Sequence, residues 1–437
     1  MKTKKKIIYI GLSLDVLHHG HINLINKAST LGDLIVGLIT DKAIATYKKI
    51  PLLEFKSRKK ILENIKGVHK IVPQDEWSYY SNILKYKPDI MVHGDDWNLS
   101  ENGKKLKLDA LKALKKINSK LIEIPYTKNI SSSSLQESLF QNGLINVNRQ
   151  NYFRRLLQTK RLCRLLETHS PLSALIAEKT FITKKTGEKS EFDGFWSSSL
   201  TDSTLKGKPD IEVLDIRERL KNINDIFDVT TKPLIMDIDT GGKNEHFEIN
   251  IRSLESAGIS AVIMEDKKGL KKNSLFGVEV KQQQDSIKEF SKKIKMGKNA
   301  SKKNIMIISR IESLILGKSV EDAYKRSVSY LEAGADGVMI HSKEKNTRDI
   351  FKFATKFKKD FNDTPLVVVP SSFNQVKESQ LIDNGFDVVI YANHMLRSSY
   401  PAMKKVAEEI LKFGRSYESD KSLMSIKEIL NLIPGTR

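Results

Sequence analysis

Seven short β-branched runs in the second half of the chain all end in the same way. FDGFWSSS, KPLIMDIDTG, ISAVIMEDK, KNIMIISRIE, ADGVMIHSK, TPLVVVPSS and FDVVIYANH each pass from an apolar core into polar or charged residues. The terminal groups are Ser198, Asp237 with Asp239, Glu265, Arg310, His341, Ser371, and Asn393 with His394. Apolar strands alternating with helical patterns make parallel sheets, whose chemistry gathers at the carboxyl ends of the strands. Even spacing predicts a closed (β/α)8 barrel of the TIM type with its site at that mouth. An open doubly wound sheet would gather groups at the same ends and is the alternative. The eighth strand is expected in SPLSALIAE.

The first half alternates too, through KKIIYIGL, DLIVGLIT, HKIVP, PDIMVHG and KLIEIPY. Five such strands predict a small, doubly wound, Rossmann-like parallel sheet, so both halves are α/β. Between them, INVNRQNYFRRLLQTKRLCRLL reads as helix without a strand, with Cys163 on it. The expected domains are 1–142 and 162–437, joined by a linker helix over 143–161.

Charge narrows the partners. Lys and Arg exceed Asp and Glu by 74 − 53 = 21. Such an excess attracts polyanions, from nucleic acid to nucleotides and phosphorylated metabolites. It is scattered over helix faces such as KKLKLDALKALKK, without a block of stacking aromatics, so no nucleic acid is expected as a partner. The single cysteine excludes an intrachain disulfide and a cysteine-based zinc site. No apolar run reaches the ~18 residues of a membrane span, and the amino terminus lacks a small-residue cleavage site, which points to a cytoplasmic protein.

Three of the nine histidines crowd one glycine in VLHHGHIN, between the strand KIIYIGLSLD and the helical pattern INLINKA. A helix amino terminus favours phosphate through its backbone N–H groups and dipole. Gly20 permits close approach, and His18 and His21 can add hydrogen bonds or charge to the same phosphate. A zinc pair is the competing use, without a third ligand at suitable spacing.

SLDVLHHGHINLI resembles the HxGH signature of the cytidylyltransferase family of nucleotidyltransferases. DKAIATYKK, EFKSRKKIL, PDIMVHGDDW and YTKNISSSSL follow in the family's order over about the first 140 residues. The resemblance implies transfer of CMP from CTP to an acceptor, with His18 and His21 catalytic. It implies a nucleotide site made by Asp15, Gly20, Lys48 or Lys49, Arg58, Asp95, Asp96, Trp97, Ile130, Ser131, Ser132 and Ser133. Two positions depart from the pattern: Tyr126 stands for an arginine and Asn129 for a glycine, with Lys128 nearby and hydroxyls kept through Ser134.

In the second half, MEDKKGLKKNSLFG follows a strand and reads as a mobile loop over a site. Carboxylates converging at one mouth favour a hard cation such as Mg2+. From about Leu162 onward the chain resembles phosphoenolpyruvate mutase, in the isocitrate lyase-like superfamily, with EDKKGLKKNS fitting the mutase pattern EDKxxxKxNS. The resemblance implies rearrangement of phosphoenolpyruvate to phosphonopyruvate. Asp237 would ligate Mg2+ directly, and Asp210, Asp239 and Glu265 would hold its waters. Trp196, Ser198 and Leu200 would contact the pyruvoyl part, Arg310 and His341 the phosphoryl group. Lys271, Asn273 and Ser274 would sit on the gating loop. Departures are Ser197 and Ser199 in place of small glycines, and Gly269-Leu270 where some members have Phe-Pro. A phosphonopyruvate hydrolase or a C–C lyase barrel beside a nucleotide-binding, non-catalytic first domain is the rival reading. The expected partners are phosphoenolpyruvate, phosphonopyruvate, CTP, a phosphonate acceptor, and a second copy of the chain through the barrel.

Overall fold

A computed structural model describes residues 5–47, 50–127, 146–184, 189–269, 271–302 and 304–433. In the first domain, β1 (Ile7–Leu12), β2 (Asp33–Ile39), β3 (Val68–Gln74), β4 (Ile90–Gly94) and β5 (Lys120–Ile124) form one parallel sheet. Its order is β3-β2-β1-β4-β5. Alternation along β1 sends Ile8, Ile10 and Leu12 to one face, packed with Ile25 and Leu62. Tyr9 goes to the other face, among Ile83, Met91 and Leu106. The order reverses between β1 and β4, where open α/β sheets leave a crevice at their carboxyl edge.

The second domain is a closed barrel of eight parallel strands in sequential order. They are β6 (Cys163–Glu167), β7 (Gly194–Ser197), β8 (Leu234–Asp237), β9 (Ala261–Glu265), β10 (Met306–Ile311), β11 (Gly337–Ile340), β12 (Leu366–Val368) and β13 (Val388–Tyr391). The seven runs predicted as barrel strands are β7 to β13. The eighth strand differs from expectation. It is CRLLE, so Cys163 lies on a strand and is buried in the barrel interior rather than on a helix. SPLSALIAE is instead a helix over Pro171–Lys179. Ser170 Oγ accepts the Ser173 N–H at 3.2 Å, and Pro171 occupies the first helical position, where its missing N–H costs nothing.

Four helices matter for the sites: α1 (His19–Ser29), α2 (Glu101–Lys116), α3 (Asn146–Thr159) and α4 (His394–Phe413). The expected linker helix, α3, is part of the barrel. Phe153 and Leu156 pack with Cys163, Ala261 and Met306, at the amino-terminal ends of their strands. Gln150 Nε2 donates to Glu255 O at 2.8 Å and Ile259 O at 3.0 Å. Arg149 Nη2 donates to Thr230 O at 2.7 Å, and its guanidinium lies 3.6 Å over the Phe227 ring. Thus α3 seals the end of the barrel opposite the mouth. By contrast, none of the 20 residues of α4 is buried, although it carries Tyr400, Met403 and Leu411. Among the described residues no helix is long and apolar enough to cross a membrane.

Phe153 is fully buried. Phe153→Ala leaves a cavity in the barrel floor and should destabilise the barrel by about 3–5 kcal/mol. Urea unfolding followed at the barrel transition checks this; a midpoint equal to wild type would contradict the plug role.

Candidate active sites

At the barrel mouth the ends of β7 to β13 each deliver a side chain named from the sequence into one small cavity of about 80 Å3, while β6 adds none and His394, the first residue of α4, does not line it. Trp196, Ser198, Leu200, Asp210, Asp237, Glu265, Lys271, Asn273, Ser274, Arg310 and His341 all line it. Asp239 stands one step behind, ion-paired to Lys271 Nζ. The loop after β9 folds over the opening. Lys271 Nζ also pairs with Asp210 Oδ1 and donates to Ser199 Oγ at 2.7 Å. Asn273 Nδ2 donates to Asp210 Oδ2 at 2.9 Å, and Ser274 Oγ accepts from Arg310 Nη2 at 2.7 Å. Lys267 Nζ fixes the loop from below, donating to Lys272 O and Ser274 Oγ, each at 2.9 Å.

The charges are buried and therefore paired. Arg310 Nε donates to Glu312 Oε1, while its Nη2 lies 3.0 Å from His341 Nδ1. That nitrogen is 3.0 Å from the same Glu312 oxygen. Burial alone would raise the Asp237 carboxyl, but Arg310, Lys271 and Arg219 around it hold it below its ordinary value. Burial and the nearby Asp237 charge raise Asp239, and burial pushes Glu265 up to about 8 against the pull of Arg310 and Lys267. Burial and Arg310 lower the His341 imidazole, opposed by Glu312.

Among the described residues no three carboxylate or imidazole groups stand close enough to ligate one ion together. The mouth nevertheless holds a cation, the Lys271 ammonium, among Asp210, Asp239 and Ser199. Carboxylates that gather around an ammonium in this way suit a divalent cation too.

The second site is a cavity of about 640 Å3 at the carboxyl edge of the five-stranded sheet, at its switch point. Ser13 after β1, Ile39 at the end of β2, His93 and Gly94 of β4 and Ile124 of β5 line it, with His18, Gly20, His21, Asp96 and Trp97. His18 caps α1: its Nδ1 accepts the Gly20 N–H at 3.2 Å, and His21 Nδ1 accepts the His18 N–H at 3.4 Å. The two rings lie 3.9 Å apart. A Cβ at position 20 would stand 2.9 Å from His18 Nδ1, which is why this turn takes glycine. Trp97 stacks on His93 at 3.8 Å and donates Nε1–H to Glu123 Oε1 at 2.6 Å.

Three residues expected at the nucleotide stand outside that wall. Asp15 Oδ1 accepts from the backbone of Leu52 at 2.5 Å and Leu53 at 3.4 Å. Asp95 Oδ1 accepts the Tyr126 N–H at 2.8 Å. Arg58 is fully buried and donates to Ser13 O, Ile39 O and Leu53 O, besides pairing with Asp41 at 2.6 Å. A guanidinium spent on three carbonyls shapes the cavity from behind rather than meeting a phosphate. Lys48, Lys49, Lys128, Asn129, Ile130, Ser131, Ser132, Ser133, Ser134 and Leu270 lie outside the described residues.

Sequence reasoning missed Glu312 and Arg219. Glu312 was legible, since the Arg-Ile-Glu of β10 and its extension puts positions 310 and 312 on one side of an extended chain. Arg219 donates to Asp202 Oδ2 at 2.7 Å and to Asp237 O, yet sits in a helix whose IRERLK pattern reads as a solvated face.

Residues 153–411 match the family described as Phosphoenolpyruvate phosphomutase, and residues 9–138 match that described as Cytidylyltransferase-like. A phosphonopyruvate hydrolase of Variovorax sp. is 33% identical over 282 residues, 64% of this chain and 92% of its own. A glycerol-3-phosphate cytidylyltransferase of Bacillus spizizenii is 36% identical over 137 residues, 31% of this chain and 97% of its own. The crystal structure of a phosphoenolpyruvate phosphomutase from Streptomyces platensis subsp. rosaceus superposes with a TM-score of 0.59 at 32% identity, over 65% of this chain and 94% of that one. A phosphonopyruvate hydrolase in complex with oxalate and Mg2+ gives 0.57 at 32% identity, with the same coverage.

Burial and the neighbouring His19 lower the His18 pKa below 6.5. The folded form resists protonation, so the stability from this cap is full above pH 6.5 and is lost as pH falls through the lower folded midpoint. An NMR titration should place His18 below 6.5 and the Gly20 amide should lose exchange protection over the same range. A midpoint above 6.5 would contradict the cap geometry.

Proposed function

Since the chain belongs to the phosphoenolpyruvate phosphomutase family and carries a cytidylyltransferase-like domain, we propose that it is a bifunctional enzyme of phosphonate biosynthesis. The barrel interconverts phosphoenolpyruvate and phosphonopyruvate: the P–O bond breaks, a P–C bond forms at the enolate carbon, and nothing else is gained or lost. The first domain transfers CMP from CTP to a phosphonate or phosphate-bearing acceptor, releasing pyrophosphate.

The observation that carries the mutase reading is the closed loop. A phosphoryl group in flight between oxygen and carbon is lost to any water present, so the site must exclude it. Lys271, Asn273 and Ser274 are all anchored across the mouth, leaving room for little besides substrate. Asn273 offers the moving group a neutral amide that steers without attacking. Arg310 and His341 hold it from the opposite side, both fixed by Glu312. Trp196, Ser198 and Leu200 bound the pyruvoyl part. Mg2+ fits the carboxylates as Asp237's direct partner, with water to Asp210, Asp239 and Glu265, and would supply positive charge for the enolate oxygens. Asp237 suits the direct place because its neighbours keep it ionised.

In the first domain, an acceptor oxygen already anionic needs no general base. Positioning and charge neutralisation at the α-phosphorus suffice, and His18 and His21 at the amino terminus of α1 serve both. An acceptor's anionic oxygen would meet the same histidines, which suits a phosphonate as well as a phosphate monoester. Abundant phosphoenolpyruvate and CTP place such an enzyme in the cytoplasm. The exposed apolar residues of α4 favour a second copy of the chain as their cover.

The two activities should separate by mutation. Asp237→Ala should abolish turnover of phosphonopyruvate while CMP transfer persists. His18→Ala or His21→Ala should lower kcat for CMP transfer by about 100-fold, as for a removed transition-state donor, and leave the barrel reaction unchanged. Coupled assays of both reactions on each variant check this. Mutase turnover surviving in Asp237→Ala would overturn the metal assignment.

A further inference from the structure

One group of contacts joins the two domains and serves neither active site directly. Ile50, from the first domain, is buried in the barrel-floor core beside Phe153 and Leu156 of α3. One residue on, the chain is gripped by Arg155. Its Nη1 donates to Pro51 O and to Leu52 O at 2.9 Å, and its Nη2 pairs with Asp41 Oδ2 at 3.5 Å. Both charged side chains are largely buried, 15% and 17% exposed.

What Arg155 grips leads to the nucleotide cavity by two routes. Leu52 and Leu53 donate their N–H groups to Asp15, which lies in the strand–helix turn that leads to His18. Asp41 accepts from Phe55 N at 3.2 Å and pairs with Arg58, whose guanidinium holds the carbonyls of Ser13 and Ile39. Ser13 and Ile39 are themselves cavity wall. The first domain therefore does not close this network alone; a residue of the barrel's sealing helix completes it.

We propose that Arg155 is a positioning residue for nucleotidyl transfer, acting across the domain boundary through the Pro51–Leu52 carbonyls and Asp41. This rests on the cytidylyltransferase reading of the first domain. Removing Arg155 takes the guanidinium from the Pro51 and Leu52 carbonyls and leaves Asp41 Oδ2 with the Phe55 N–H, which lets the 50–55 segment shift. Because a displacement of about 1 Å costs up to 100-fold in a positioned reaction, the loss falls on kcat more than on nucleotide affinity. Arg155 projects from α3 toward the first domain, so the barrel mouth is unaffected.

The test compares full-length wild type, Arg155→Ala and Arg155→Lys. In Arg155→Ala, hydrogen exchange at the Leu52, Leu53 and Phe55 amides should quicken, and kcat for CMP transfer should fall about tenfold or more with KM for CTP changed less than threefold. Mutase turnover should stay as in wild type. Arg155→Lys, able to reach one carbonyl as a point charge, should recover part of the rate. Wild-type exchange together with wild-type kcat in Arg155→Ala would overturn the inference. Wild type that transfers no CMP overturns the reading of the first domain and the inference with it; wild type that transfers CMP beside an Arg155→Ala with unchanged kcat overturns the inference alone.

Discussion

Buried charge governs the barrel mouth. Asp202, Asp237, Asp239, Glu265 and Glu312 are all nearly inaccessible, and so are Arg219, Lys267, Lys271 and Arg310. An unpaired ion there would cost several kcal/mol, so each side chain is where it is because another holds it. One of the four cations, Lys271, arrives on a loop. Loop position and local charge are therefore one variable. A loop that opens takes an ammonium away from Asp210 and Asp239, and the carboxylates left behind attract another cation. Closure of the loop and neutralisation of the mouth are thus coupled.

Strand polarity places everything else. In both domains the parallel strands deliver polar residues at their carboxyl ends, giving one cavity over the five-stranded sheet and one in the barrel. The barrel's other end is closed by α3, and there the first domain docks through Ile50 and Arg155. The docked domain thus sits away from the barrel mouth. Such an arrangement suits two reactions with separate intermediates rather than one intermediate handed across.

Much of this was legible in the sequence, for a physical reason. Strands buried on both faces are apolar throughout, so β7 to β13 announce themselves, and their polar ends name the mouth residues. The strand that escaped, CRLLE, is interrupted by Arg164, whose side chain leaves the strand to pair with Glu378 at 2.6 Å. That charge made the run look like a continuation of the basic helix before it. SPLSALIAE is apolar enough for a strand, and only its Ser-Pro cap marks a helix. Arg58 fits its family's pattern, yet the chain uses it on carbonyls; a motif gives a residue's place, and packing decides what it touches. Arg219 and Arg155 left no trace, because an arginine on an amphipathic helix looks solvated until its neighbours are known.

The claim on which the functional account turns is that the closed mouth rearranges rather than hydrolyses. Phosphorus NMR of wild-type protein with phosphonopyruvate and Mg2+ measures it directly. The account predicts phosphoenolpyruvate as the dominant product, with inorganic phosphate a minor signal. Inorganic phosphate and pyruvate as the main products would contradict it and make the barrel a phosphonopyruvate hydrolase.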